Sequence, residues 1–263
     1  MDTIQAIILG FIQGVTEWLP ISSTGHLRVV EQLLGLRLPL LFDVILHLGT
    51  LAVILFFFRK DIKPIFTALI NGDFRSENGR LIPLIIIGTI PTAFIGLVFS
   101  NTIEAYFSNT FPIAVAFLTC GVLLYISKQG RERTDKITYL GALAIGVAQG
   151  IALIPGMSRS GLTILTALLL GVRRNKAFRF SFLLSVPAVV GALSLTLIEG
   201  HEVLMVLDVG WKELLLGIVS SVIVGYFALK ILWKALAGRK FYLFAFYCWL
   251  IGALLLIFSI GNS

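Results

Sequence analysis

Charge is scarce in this chain. Asp, Glu, Lys and Arg make up 13% of its 263 residues against 57% hydrophobic, and the mean hydropathy is +0.97. No single water-facing fold can hide that much apolar surface, which excludes a soluble globular domain and calls for a polytopic membrane protein. Cysteine is nearly missing. Cys120 and Cys248 sit far apart in long apolar runs with no Cys or His at metal-ligand spacing, so they read as packed thiols rather than as a disulfide or a metal site. A cleaved leader is not expected, because the first apolar run follows Asp2 instead of a basic stretch and no small-residue cleavage site comes after it. The surplus of seven positive charges lies in short loops beside apolar spans, where lipid headgroups and topology account for it, so no nucleic-acid partner is expected.

What the chain has instead is apolar length. Six runs, at 40–58, 81–99, 112–127, 180–198, 214–236 and 243–260, meet or nearly meet the roughly 20 residues that a spanning helix needs. Two further apolar stretches, 4–36 and 139–172, are interrupted by LPISSTGH (Leu19–His26) and IPGMSRSG (Ile154–Gly161). Irregular backbone at membrane depth is tolerated only where protein or a wet cavity surrounds it, so each is predicted to be a re-entrant helix hairpin. A shift of 136 residues, without a gap, sets Gly10 on Gly146, Gln13 on Gln149, Gly14 on Gly150, Ser22 on Ser158 and Gly25 on Gly161. Further on, LGLR (Leu34–Arg37) meets LGVR (Leu170–Arg173). Chance apolar matches are cheap in such a chain, whereas Gly, Gln, Ser and Arg in one register are not. One membrane domain, 1–263, duplicated over about 4–127 and 139–260, is the expectation.

Lysine and arginine alternate from loop to loop. Arg59, Lys60, Lys63, Arg75 and Arg80 lie between the first two spans and none between the second and third. Lys128, Arg131, Arg133 and Lys136 precede the second hairpin, Arg173, Arg174, Lys176 and Arg179 follow it, Lys212 alone occupies the next loop, and Lys234, Arg239 and Lys240 the last. Basic loops belong on the cytoplasmic side. Both termini are then predicted outside, with the first hairpin entering from outside and the second from inside. The predicted fold is an all-α inverted-topology repeat with six spanning helices and two re-entrant hairpins, whose broken helices meet near the midplane in a polar site.

In PGMSRSGLT, Pro155 and Gly156 end one half-helix, and Ser158 and Ser160 are candidate caps for the next, whose free amides can hold an anion. Arg159 stands at its mouth, where a guanidinium fork suits phosphate oxygens two at a time; the plainer alternative is that it only neutralises Glu17. In QGVTEWLPISSTGH, Gln13 and Glu17 share a helical face. After Pro20 come Ser22, Ser23, Thr24 and His26. Ser23 and His26, three apart, share a face if a helix starts there, so the imidazole could assist a hydroxyl nucleophile or protonate a leaving oxygen. Against this, Ser22 or Ser23 could be only an N-cap and His26 an interfacial residue. Gln13 lies within GFIQG, a GxxxG pattern that close helix packing explains fully. His47 and His201 read as structural. A rival function is an anionic-lipid or solute transporter or flippase, since broken inverted repeats are a transporter architecture.

The two motifs, together with FDVILHLGTLAVI and FSFLLSVPAVVGA downstream of them, resemble the undecaprenyl-diphosphate phosphatase family of the bacitracin-resistance type over nearly the whole chain. The resemblance implies an integral plasma-membrane phosphatase that removes the terminal phosphate of undecaprenyl diphosphate and so recycles the carrier of cell-wall precursors. It implies catalytic roles for Glu17, Ser23, His26 and Arg159, and phosphate-binding motifs that contain Thr24, Ser158, Ser160 and Thr163; the residue reading adds Gln13 and Ser22 as substrate contacts. It also implies a homodimer and a divalent cation, Mg2+ or Ca2+; on the residue reading Glu17 could hold that cation, orient His26 or accept a proton. Family members carry Glu or Gln at the position of Gln13, so this chain has one carboxylate fewer than some, which weakens a two-carboxylate metal site.

Overall fold

The computed structural model describes residues 1–36, 38, 40–206 and 210–261. Its helices are α1 (Thr3–Trp18), α2 (Ser23–Leu33), α3 (Leu40–Phe57), α4 (Arg59–Ile70), α5 (Leu81–Tyr106), α6 (Thr110–Ile126), α7 (Tyr139–Ile151), α8 (Arg159–Leu169), α9 (Arg174–Val206), α10 (Trp211–Ala237) and α11 (Phe244–Gly261). Five of them, α5, α6, α9, α10 and α11, are long and apolar enough to cross a bilayer, and α3 adds a sixth when joined to α4, from which it is bent by 82°. The outward faces fit lipid. On α5 the exposed residues include Ile86, Ile90, Phe94 and Leu97, and on α10 Leu215, Val219, Ile223, Phe227 and Ile231. An apolar stripe that long, at helical spacing, would be unstable against water but is the natural surface toward acyl chains. This is a multi-pass membrane protein.

Each of the six apolar runs coincides with one of these helices to within a residue or lies inside it, but the edges differ. Helix α5 continues to Tyr106 and α9 begins at Arg174, because Glu, Lys, Arg and Ala extend a helix into water; hydropathy marks where the lipid stops, not where the backbone uncoils. Helix α4 was not anticipated. It occupies a stretch read only as a basic loop, yet Ile62 and Ile65 pack on the core while Arg59, Lys60 and Lys63 stay in solvent, which is the pattern of an amphipathic helix at the membrane surface. His201 lies outside the residues whose side chains are described.

Both interrupted stretches are broken helix pairs. A capping box between Asp2 and Gln5 opens α1, and its last cap residue, Leu19, precedes Pro20, which cannot donate to a continuing helix. Ser22 caps α2, Thr138 caps α7 and Ser158 caps α8, so Asp2, Ser22, Thr138 and Ser158 stand at the same 136-residue offset that aligns the sequences. The two breaks are stitched together: Ser22 Oγ accepts from the Gly156 N–H at 3.0 Å, and Ser160 Oγ donates to the Trp18 carbonyl at 2.9 Å. Gly156 has φ +97, and a Cβ there would stand 2.7 Å from that of Ala116, so both conformation and space require glycine. The GxxxG faces behave as their spacing demands. Gly10 and Gly14 lie directly against the backbone of α10 at Gly217 and Ser221, and Gly146 against that of α5 at Gly88. These contacts bring α1 onto α10 and α7 onto α5 closely enough to hold the breaks in register.

Candidate active site

A cavity of about 190 Å³ opens between the two breaks. Its polar wall is made by Glu17 from the end of α1, Ser22, Ser23 and Thr24 from the start of α2, Ser158 and Arg159 from the start of α8, and His47 from α3. The lining also has an aliphatic part that includes Ala188, Val189, Ala192 and Leu193 of α9. The first-turn amides of two helices therefore face one space, and amides there have no intrahelical acceptor.

Glu17 is the centre of the polar wall. It is 7% exposed, and a carboxylate buried so deeply needs a partner for each oxygen. One oxygen pairs with the Arg159 guanidinium. The other accepts from Ser23 Oγ at 2.7 Å and from Gln13 Nε2 at 3.2 Å, and faces His47 Nε2 at 3.3 Å. Arg159 also lies over the Trp18 ring, 5.6 Å from its centroid, which restricts the guanidinium to the cavity mouth. The plainer reading of Arg159, ion pairing with Glu17, is thus realised at rest, with the cavity immediately beside the pair.

The other candidates divide. Ser22, 3% exposed with φ +67, spends its hydroxyl on the amides of Gly25 and Gly156. Ser158 caps α8 through the Gly161 N–H, 3.1 Å away. Gln13, Ser160 and Thr163 are buried behind the wall and do not line the cavity; Thr163 bonds to the Arg159 carbonyl and to Ser181 Oγ. His26 is not beside Ser23. Its Nδ1 is 2.7 Å from the Ser22 carbonyl and its Nε2 2.8 Å from the Tyr247 hydroxyl, with the ring stacked on Tyr247 and edge-on to Phe117. Three residues apart on a helix is about 300°, close enough for a shared face, but Ser23 is the first residue of α2 and its side chain turns back toward α1.

Of the polar lining residues, sequence reasoning missed Thr16, His47, Thr92 and Gln149. Thr92 and Gln149 are joined by a 3.2 Å hydrogen bond in the cavity wall; the repeat does signal Gln149, as the counterpart of Gln13. His47 was read as structural because it falls mid-span, and only the approach of α3 to α1 reveals its partner.

The family described as bacitracin resistance protein BacA matches residues 6–254 of this chain. The chain belongs to that family. Proteins named undecaprenyl-diphosphatase are similar to it along their whole length: one from Carboxydothermus hydrogenoformans at 40% identity over 100% of both chains, one from Methanosphaera stadtmanae at 40% over 99% of each, and one from Korarchaeum cryptofilum at 40% over 97% of this chain and 99% of the relative. In this BacA-family protein the buried Glu17 carries both the ion pair and the serine contact that define the cavity.

Proposed function

We propose that the protein is an undecaprenyl-diphosphatase of the plasma membrane, releasing inorganic phosphate and returning undecaprenyl phosphate to cell-wall synthesis. The observation that carries this reading beyond the relatives' names is the Ser23 hydroxyl donating to Glu17 beside Arg159, in a cavity partly lined by aliphatic side chains. A lipid diphosphate needs that combination, a polar pocket for the head and a greasy flank for the tail. A transporter needs an anion site but no hydroxyl held against a carboxylate.

In the resting site Glu17 is saturated with donors and is a poor base. An arriving diphosphate offers Arg159 a bidentate partner, and as the guanidinium turns to it, Glu17 is left facing Ser23. Ser23 Oγ then attacks the terminal phosphorus and its proton passes to Glu17, while the bond to the bridging oxygen breaks and undecaprenyl phosphate leaves. Water attacks the phosphoserine, the bond from phosphorus to Ser23 Oγ breaks as that oxygen recovers the proton from Glu17, and the phosphate departs as dihydrogen phosphate, carrying both protons of the water. Arg159 and the first-turn amides of α2 and α8 neutralise the phosphoryl oxygens throughout. His26, bonded to Ser22 and Tyr247, supports the backbone that presents Ser23.

A divalent cation fits this donor set poorly. Among the described residues no three His, Cys, Asp or Glu side chains are placed to hold a metal, and Glu17, the cavity's one carboxylate, meets Arg159 and His47. No step is assigned to a metal here. Gln13→Glu would put a second carboxylate beside the first, and is expected to make phosphate release rise at least several-fold with added Ca2+ or Mg2+ over the chelated enzyme, more steeply than in wild type; a metal response indistinguishable from wild type would refute the pairing of positions 13 and 17 as a latent metal site.

The same reading makes the chain an inverted repeat with two re-entrant hairpins and both termini outside. Supporting it, Lys176 meets Glu77 at 2.8 Å and Arg179 meets Asp61 at 2.7 Å, so the basic segments after the first span and after the second hairpin share one end of the molecule. At the other end Thr3 donates to Glu213 at 2.9 Å and Arg28 pairs with Glu104 at 3.5 Å, uniting segments all predicted outside. A Glu77→Cys protein in intact cells should resist an impermeant maleimide and react once the membrane is opened; labelling in intact cells would reverse the orientation.

A further inference from the structure

Of the groups on Glu17, Arg159 and Ser23 have roles in the proposed reaction, whereas neutral Gln13 and His47, which can carry a charge, have none. Its Nδ1 lies 2.7 Å from the carbonyl of Asp43, one turn earlier in α3, and its Nε2 3.3 Å from the Glu17 carboxylate. Carbonyl and carboxylate are both acceptors, so this geometry is satisfied only when both ring nitrogens carry a proton and donate. Helix α3 is itself fixed: Phe42 and Leu46 are fully buried, and Gly49 lies against Ser221 of α10. The imidazole is thus a rigid bracket between the α3 backbone and the carboxylate.

We propose that His47 is a positioning residue for hydrolysis, holding the Glu17 carboxylate on Ser23 when Arg159 leaves it for the substrate phosphate. The inference rests on the reading of Glu17 as the base for Ser23. Arg159 and His47 approach different oxygens of Glu17. A carboxylate with one cationic partner would follow that partner toward the substrate or lose its orientation; with His47 on the serine-facing oxygen it stays. Gln13, donating to the same oxygen at 3.2 Å, is neutral and supplies a weaker hold.

The test compares His47→Leu, His47→Gln and His47→Asn with wild type, measuring phosphate release from undecaprenyl diphosphate in detergent. Losing a charge-assisted donor should lower kcat by about 10- to 100-fold with KM little changed, since the histidine does not hold substrate. Gln, whose amide can span to Glu17 but carries no charge, should recover part of the rate, and Asn, too short to reach, should not. Should the Leu protein fail to fold, the contrast between Gln and Asn decides alone. Wild-type kcat in His47→Leu, equal impairment by Gln and Asn, or a loss confined to KM would each overturn the role of His47 while leaving the phosphatase reading intact. A wild-type protein that releases no phosphate would overturn that reading and this inference with it.

Discussion

Arg159→Lys should cost at least ~30-fold in kcat/KM although the charge is kept, the equivalent of about 2 kcal/mol in a charge-assisted contact. An ammonium can remain near Glu17 and balance its charge, so the resting ion pair and the fold survive. It cannot present two parallel N–H groups to a phosphoryl group, nor lie flat over Trp18 as the guanidinium does. The substitution therefore separates the two meanings of the Arg159–Glu17 contact. If the pair exists only to bury two charges, Lys serves as well and turnover stays near wild type; if Arg159 is the phosphate ligand, turnover falls while thermal stability in detergent hardly moves. Arg159→Leu would not discriminate, because removing one partner of a buried ion pair costs about 3–5 kcal/mol by itself.

Ser23→Ala should have the largest effect of all, a loss on the order of 10³-fold or more. A hydroxyl held at the reacting phosphorus has an effective concentration of at least about 10⁵ M, which water at about 55 M cannot replace without the same positioning. The covalent route makes a second demand. Rapid quenching of a reaction with terminally labelled substrate should trap label on Ser23, most readily where the second step is slowed. The rival is direct attack by water, with Ser23 only donating a hydrogen bond to a phosphoryl oxygen. Ser23→Ala turnover within about 100-fold of wild type would favour it, since losing one hydrogen bond to a charged oxygen costs about 1.5–3 kcal/mol. The 2.7 Å bond from Ser23 to Glu17 is what tilts the expectation: the serine proton already points at its acceptor, and the oxygen's lone pairs are left free toward the cavity.

Composition and the length of the apolar runs carried the membrane character and the positions of the long helices because lipid acts on every residue of a span independently, and such local signals survive in one dimension. Helix α4 was lost to that same signal, since its charged face lowers the average that reveals a span. The break motifs were legible too, because Pro20, Pro155 and Gly156 violate helix rules inside apolar runs. Where the reading failed, the deciding fact was the approach of one helix to another. Sequence spacing paired Ser23 with His26, yet the first residue of α2 turns toward α1 and the fourth toward α11. The same blindness hid His47, whose partner lies 30 positions away on a helix it meets only in the folded bundle.

The cross-stitching of the two breaks has a consequence for how the protein is made. Ser22 bonds across 134 residues to Gly156, and Glu17 and Ser160 across 142 to Arg159 and Trp18. At ribosomal speeds of about 5–20 residues per second, the first half waits in the membrane for roughly 7–30 s before the segments that complete it emerge. Through that interval α1, with its buried acid and its glycine face, has neither Arg159 nor α10 to settle against. The early half must therefore be sheltered by the insertion machinery or by the edge of the bilayer, and a ribosome stalled between the halves would leave it a target for membrane proteases.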